Sequence, residues 1–428
     1  MFQFTRGNHV WTGQTGHAYV FDSMSGESYI FNRPLPSSSQ NRVQLVTNIH
    51  THEVAVRKVK TEKLVVKDTH DLARVPEDNE IRILDHLNAL VHNPVYLLTG
   101  LTPRWSTCIS HEKIAVPSQG PILRAECLQI SYWKLCNAGT VCSVMSSWHW
   151  GHMSDNMEGK LFPVSFVARC IAQVCETLHF MYQAGPEAVY HCDLHLGNIF
   201  VHYESKTGND GLPNFYIGDF GWARTASEAL DDSEAWREDR AHMYLNSGYS
   251  PPPADEWQTR DPAPGTASVG ERRRWDVGRF LSALEQLTRH TAVPWNNGWN
   301  AGLANPSPAS QQAVELGKLV ERLKFVDAED EKEAARNPRS RPPGLVEVVR
   351  EAKRLEEFAL QAEMHTEPFD LVARWGQLQL AHSQNEKPFV FATEERPAPP
   401  QILDMRTARA ENYGKANIVG PWTLVDSE

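Results

Sequence analysis

The sequence predicts an α+β protein of two lobes, a small strand-rich one followed by a larger helical one. Three observations predict it. The first 130 or so residues carry short β-branched and aromatic runs bounded by Gly, Pro, Asn or Ser. From about residue 160 the apolar positions recur at helical spacing. The chain of 428 residues is 41% hydrophobic with 13 Trp, enough apolar material for a sizeable core, which excludes global disorder.

The elements follow in order. Strands are predicted at Ala18–Phe21, Ser28–Phe31, Arg42–Val46 and Glu53–Val59. A helix interrupts them, started by Pro76 and carrying Ile81, Ile83, Leu84 and Leu87. A long helix runs from Val164 to Tyr182 with Phe166, Val167, Ile171, Val174, Leu178 and Met181 on its apolar stripe, and Gly185 ends it. Further helices are expected over about 275–289, 309–325 and 344–363. Pro, Ser, Gly and charge dominate 225–270, which reads as a long loop, and beyond about 365 the pattern breaks up. The expected organisation is therefore 1–134, 135–363 and a partly irregular tail over 364–428.

Charge and composition narrow the function classes. Lys+Arg number 42 against 53 Asp+Glu, a net charge of −11, which argues against a nucleic-acid partner because such surfaces need clustered positive charge. No apolar run approaches the roughly 20 residues of a membrane-spanning helix, so no membrane association is expected. The first residues lack the basic-then-apolar layout of a signal peptide, and seven cysteines are sparse and odd in number. An intracellular chain, cytoplasmic or nuclear, is the expectation.

Two motifs carry chemistry. In Tyr190-His-Cys-Asp-Leu-His-Leu-Gly-Asn-Ile-Phe200, Asp193 and Asn198 stand five residues apart in a short loop with apolar anchors on both sides. A carboxylate there can orient an acceptor hydroxyl and take its proton, and an amide oxygen can ligate a divalent cation. Downstream, Asp219-Phe220-Gly221 follows a predicted strand and leads into Trp222-Ala-Arg224. It adds a second oxygen ligand at a turn.

Together these strings resemble the H-R-D-L-x-x-x-N catalytic loop and the D-F-G turn of the eukaryotic protein kinase superfamily. The resemblance covers about residues 10–362 and implies a two-lobed, protein-kinase-like fold that binds ATP and Mg²⁺ and phosphorylates a protein substrate, Ser/Thr rather than Tyr. It implies that Asp193 positions the hydroxyl and accepts its proton, and that Asn198 and Asp219 hold Mg²⁺. Asn79-Glu80-Ile-Arg-Ile-Leu84 and His92–Val95 resemble the regulatory helix and the turn after it, with Glu80 the partner of a strand lysine. Ile130–Thr140 is similar to the segment joining the lobes around adenine, with backbone hydrogen bonds from Lys134 and Cys136. Trp275-Asp276-Val277 resembles the start of the helix that braces the catalytic loop, and Asn337–Pro342 the late turn whose arginine is Arg341.

Several positions depart from the pattern. In Val54-Ala-Val-Arg57-Lys58, alignment puts Arg57 in the lysine place, and a one-residue shift sends Lys58 to the other face of the strand. Lys58 suits a compact ammonium site and is preferred as the phosphate ligand, with Arg57 the alternative. Gly13 and Gly16 are spaced like the last two glycines of the phosphate-cradling loop, and a long insertion from Pro34 to His52 then precedes the lysine strand. Cys192 stands where the family has an arginine that reads loop phosphate, and His195 where a lysine touches the transferred phosphate. Pro253 takes the place of the A-P-E glutamate, with Glu256 nearby. Two alternatives stay open: a pseudokinase acting as a scaffold or binding module, and a small-molecule phosphotransferase of the aminoglycoside kinase type, which His195 and Gly197 resemble.

Overall fold

The computed structural model describes residues 9–13, 16–23, 25–35, 41–64, 78–91, 102–117, 125–149, 162–204, 211–230, 269–288, 308–336, 344–364, 366–386 and 390–391. The chain divides into two units, one of residues 1–77, 107–135 and 383–428, the other of 78–106 and 136–382.

The first unit is an antiparallel sheet. Its strands are β1 (His9–Gly13), β2 (Gly16–Asp22), β3 (Ser28–Pro34), β4 (Asn41–Asn48), β5 (Val54–Leu64), β6 (Cys108–Pro117) and β7 (Ala125–Lys134), in the order β1-β2-β3-β4-β5-β7-β6. Period-two alternation sets which side chains turn inward. On β5, Ala55, Arg57 and Val59 are buried while Val56, Lys58 and Lys60 are half-buried. Ala55 and Val59 join Phe21, Tyr29, Val46, Leu128, Ile130 and Tyr132 in one apolar cluster. The stretch from Pro34 to His52, expected as an insertion, contributes β4 between β3 and β5. The hairpin that directly precedes β5 is therefore β3–β4, and the Gly13–Gly16 hairpin lies two strands further out.

The second unit is helical. It contains α1 (Asn79–Val91), α2 (Val141–His149), α3 (Val164–Gln183), α4 (Ala226–Leu230), α5 (Val269–Thr288), α6 (Pro308–Arg336), α7 (Leu345–Glu363) and α8 (Glu367–Gln384). Between α3 and α5 lie β8 (Val189–Tyr190), the β9–β10 hairpin (Ile199–His202 and Asn214–Ile217) and β11 (Arg224–Thr225), which pairs with β8. Helix α1, which carries Glu80, groups with this unit. It starts at Asn79, where Asp78 Oδ1 accepts from Glu80 N at 2.8 Å as a cap.

Helix α3 is the centre of this unit, buried nearly all round, so its polar residues must be paired. Arg169 Nε donates to Glu356 Oε1 at 2.7 Å, and Gln173 Oε1 accepts from Phe215 N at 2.7 Å. Glu176 takes the backbone N–H of Thr102 at 2.9 Å and the ammonium of Lys353 at 3.1 Å. The first turn of α3 has no side-chain cap of its own; Glu363, the last residue of α7, accepts from Val164 N at 2.6 Å and Ser165 N at 3.0 Å. Burial pushes the thiols of Cys170 and Cys175 well up, which makes them packing residues rather than nucleophiles.

Two expectations change. The pattern beyond about 365 is not broken: α8 continues there, burying Phe369, Val372 and Gly376. After it the chain rejoins the first unit, where β12 (Val390–Phe391) pairs with Ala18 and His17 of β2 and Glu386 binds Arg33 at 2.8 Å. The expected loop over 225–270 contains α4 at its start and the first residues of α5 at its end. The turns at His92–Val95 and Asn337–Pro342, the Tyr249–Pro253 segment with Glu256, and the Pro-rich stretch 394–400 lie outside the described residues.

Candidate active site

The motif loop is built from the helix outward. β8 ends at Tyr190, and two residues on Cys192 takes φ +61°. A non-glycine residue there is strained by about 1–3 kcal/mol and persists only when its surroundings hold it. Asp276 on α5 does so: its Oδ2 accepts from His191 N at 2.7 Å and its Oδ1 from Cys192 N at 2.8 Å. Tyr182 OH donates to the same carboxylate at 3.1 Å. Asp276 is fully buried, and burial raises its pKa against the lowering pull of His191, the two backbone N–H groups and Tyr182.

His191 locks the loop to the following turn. Its Nδ1 accepts from Asp193 N at 3.3 Å, so Nε2 carries the proton and donates to Gly218 O at 3.0 Å. Its ring lies 4.8 Å from that of Phe220. Gly218 is where backbone and ring meet closely, since a Cβ there would come within 2.6 Å of Phe200 Cε2.

Asp193 and Asn198 are brought together. Asn198 Nδ2 donates to Asp193 O at 2.9 Å and to Asp193 Oδ2 at 3.2 Å. Arg279, also on α5, donates from Nη1 to Asp193 Oδ1 at 2.8 Å. His195 caps the short 3₁₀ turn Leu196–Asn198: its Nδ1 accepts from Gly197 N at 3.0 Å, which leaves the proton on Nε2, 3.7 Å from Asp193 Oδ2. A side chain at residue 197 would strike that ring, 2.8 Å from Cε1. Burial alone would raise the Asp193 carboxyl; the contact with His195 and the electrostatic pull of His195, the Arg279 guanidinium and His191 outweigh it and hold it below the usual carboxylate range.

Asp219 sits at φ +63° before the 3₁₀ turn Phe220–Trp222, a conformation Asp tolerates better than most residues. α1 grips this turn. Glu80, buried, accepts from Phe220 N at 3.3 Å, and Asn79 Nδ2 donates to Gly221 O and Ala223 O at 2.9 Å each. Arg82 connects Asn79 Oδ1, at 2.7 Å, to Glu228 of α4, at 2.7 Å.

The residues of the first unit are placed as follows. Arg57 and Lys58 point to opposite faces of β5, as the strand period requires. Arg57 is buried, with its guanidinium 4.1 Å from the Phe21 ring centroid and Nη1 2.7 Å from Gln44 Oε1. The Lys58 ammonium lies 4.5 Å from the Trp133 ring centroid. Gly13 and Gly16 form the closing pair of the β1–β2 hairpin. Lys134 ends β7, and its N–H donates to Thr107 O at 2.9 Å. Cys136, in the other unit, accepts from Gly139 N at 3.2 Å in the turn before α2.

Whether Mg²⁺ fits is decided by Asn198 and Asp219. Asn198 spends its Nδ2 on Asp193, which turns Oδ1 the other way without a donor among the described residues. The Asp219 carboxylate likewise has no hydrogen bond or ion pair among the described residues. One amide oxygen and one carboxylate suit a hard cation that keeps water and phosphate as its other ligands. No group of three or more His, Cys, Asp or Glu that could cage a metal exists among the described residues. A cation held by these two oxygens would need its remaining ligands from outside the chain, since no closed protein cage exists among the described residues.

An antiparallel sheet unit and a helical unit whose loop and turn carry Asp193, Asn198 and Asp219 accord with the two-part α+β organisation expected from the sequence. Similar solved structures include the BubR1 kinase domain, at 11% identity and TM-score 0.48 over 89% of this chain and 90% of that one. Vaccinia related kinase 3 is 11% identical, with TM-score 0.40 over 85% and 95%. The ROP18 kinase domain in complex with AMP-PNP and sucrose is 13% identical, with TM-score 0.41 over 83% and 89%. No family model and no curated protein matches the chain. At these identities every residue role has to come from this chain's own geometry.

Arg279, Asn79 and Tyr182 were not singled out from the sequence. Arg279 had a signal: it stands three residues after Asp276 on a helix, hence on the same face, and the loop it serves lacks the cations expected at 192 and 195.

Proposed function

We propose that the chain is an ATP- and Mg²⁺-dependent protein kinase that transfers the γ-phosphate to a protein hydroxyl, Ser/Thr in preference to Tyr. The observation that carries this reading is the Asp193–Asn198 pair, held in one strained loop by Asp276, with the Asn198 and Asp219 oxygens left for a cation. Asp193 orients the acceptor hydroxyl and receives its proton. Held below the usual carboxylate range, it is a weak base, which suffices because phosphoryl transfer proceeds through a loose transition state that asks more for positioning than for proton removal. Asn198 and Asp219 hold Mg²⁺, which when bound neutralises charge on the phosphates. His195 offers its Nε2 proton beside Asp193, in the place of a phosphate-contacting lysine.

From the first unit, Lys58 is the preferred phosphate ligand. Arg57 is committed to Gln44 and the Phe21 face, so releasing it would break a part-buried hydrogen bond and a cation–π contact. The Lys134 N–H is committed to Thr107, so its adenine contact falls to the carbonyl, and the second comes from Cys136. Gly13 and Gly16 stay candidates for phosphate contact through the outer β1–β2 hairpin; the strand next to β5 is β4.

A second reading, the pseudokinase, is favoured by that same Arg57 commitment and by the two strands that separate the Gly13–Gly16 hairpin from β5. Thermal shift with ATP, with and without Mg²⁺, and autophosphorylation by wild type and Asp193→Asn separate them. A kinase shows a Mg²⁺-enhanced shift in both proteins and loses phosphorylation in the variant. No ATP-dependent shift would sink the kinase reading.

A further inference from the structure

One turn of α5 grips three consecutive residues of the catalytic-type loop. Asp276 accepts from His191 N and Cys192 N, and Arg279, three residues on and so on the same helix face, donates to Asp193 Oδ1 at 2.8 Å. The ion pair is enclosed, with the Arg279 and Asp193 side chains only 18% and 14% exposed. Enclosure matters because a pair screened from water keeps its direction and strength, whereas an exposed one contributes little. Asp193 Oδ2 is held separately, by Asn198 Nδ2 at 3.2 Å with His195 Nε2 at 3.7 Å. Both carboxylate oxygens are thus anchored from different elements, which fixes the plane of the group and not only its position.

The loop itself has lost the usual means of doing this. The residue before Asp193 is Cys192, whose buried Sγ turns back to Tyr190 O at 3.6 Å, and the residue two after it is His195, whose Nδ1 is spent on Gly197. Neither can supply a permanent cation to Asp193. A guanidinium remains charged at any working pH and its fork fixes an angle as well as a distance.

We infer that Arg279 is a positioning residue of the phosphotransfer site, a cation delivered from α5 that orients the Asp193 carboxylate toward the acceptor hydroxyl in place of cations absent from the loop. This rests on the kinase reading for its consequence in catalysis. The orientation of Asp193 by Arg279 does not. Misplacing a positioning group by about 1 Å costs as much as a hundredfold in rate.

The test compares wild type, Arg279→Lys and Arg279→Gln, with autophosphorylation in ATP and Mg²⁺ as the probe. Arg279→Gln is expected to lower the maximal rate ten- to a hundredfold with the KM for ATP within twofold and an unchanged melting temperature. Arg279→Lys, which keeps the charge but not the planar fork, is expected to recover part of the rate and to run faster than Arg279→Gln. A Gln variant with wild-type rate, or one whose KM for ATP rises while the rate holds, overturns the proposal. So does a Lys variant as slow as Gln. Hydrogen exchange of the amides of 191–198 is read in parallel. If wild type shows no transfer, the kinase reading fails, and faster exchange confined to this loop in Arg279→Gln still supports the positioning role. Unchanged exchange there overturns it.

Discussion

Asn79 of α1 donates through Nδ2 to both Gly221 O and Ala223 O, each at 2.9 Å, so the side chain that opens α1 holds the backbone of the turn after Asp219. Arg82 steadies it by donating to Asn79 Oδ1 at 2.7 Å. With Glu80 taking Phe220 N, two adjacent side chains of α1 satisfy donor and acceptor groups of one turn.

Replacing Asn79 by Leu leaves two carbonyls without their Asn79 donor and removes one of the two acceptors of Arg82, the other being Glu228. The expected cost is about 1–3 kcal/mol, since an unmade buried hydrogen bond costs more than a made one contributes. Urea denaturation gives the size. Hydrogen exchange should speed up in 220–224, and an effect spread evenly over the helical unit would contradict this account.

Glu228 gives a pH signature. Burial raises its carboxyl, but the N–H of Thr225 and the guanidinium of Arg82 outweigh that and set it below the ordinary value. A depressed carboxyl contributes stability above its unfolded pKa, about 4.3, and loses it as pH falls through the folded pKa. Wild type should therefore exceed Glu228→Gln at neutral pH and converge with it on acidification. The pair is part-exposed, with side chains 37% and 38% accessible, so the gap should stay under about 1 kcal/mol. Denaturation midpoints of both proteins between pH 3 and 7 check it.

Gly376 lets α8 lie against Tyr203, the residue that follows β9. A Cβ at that position would come within 2.0 Å of Tyr203 Cε1, and the Tyr203 hydroxyl donates to Val372 O at 3.3 Å. Gly376→Ala should lower stability by about 1–3 kcal/mol through overpacking. Adding Tyr203→Leu should recover part of it, as double-mutant denaturation would show.

The metal contacts separate from the base. Asp219→Asn should abolish the Mg²⁺-dependent part of the ATP thermal shift, because it removes a charged oxygen ligand, whereas Asp193→Asn should keep it. Equal loss in both variants would mean that Asp193 also ligates the ion.

The strands at 18–21, 28–31, 42–46 and 53–59 and the long helix from Val164 were legible because their side-chain periods are local. So was the motif loop, whose residue types are chemically narrow. α8 escaped notice because its buried stripe is thin, Phe369, Val372 and Gly376, with a glycine at the contact point. The glycine-loop assignment went to the one place with two suitably spaced glycines, yet strand order put two further strands between that hairpin and β5. Spacing along a chain does not say which strands become neighbours.

What the sequence by itself determined was the two-part α+β organisation and the chemistry on offer: Asp193, Asn198 and Asp219 in two short polar segments flanked by apolar anchors. Only the tertiary structure decided what those groups touch. Asp276 reaches His191 across 85 residues, Arg279 reaches Asp193 across 86, and Glu363 caps α3 across 199. Such contacts depend on how helices pack, and packing is settled by the whole buried surface at once rather than by any local period.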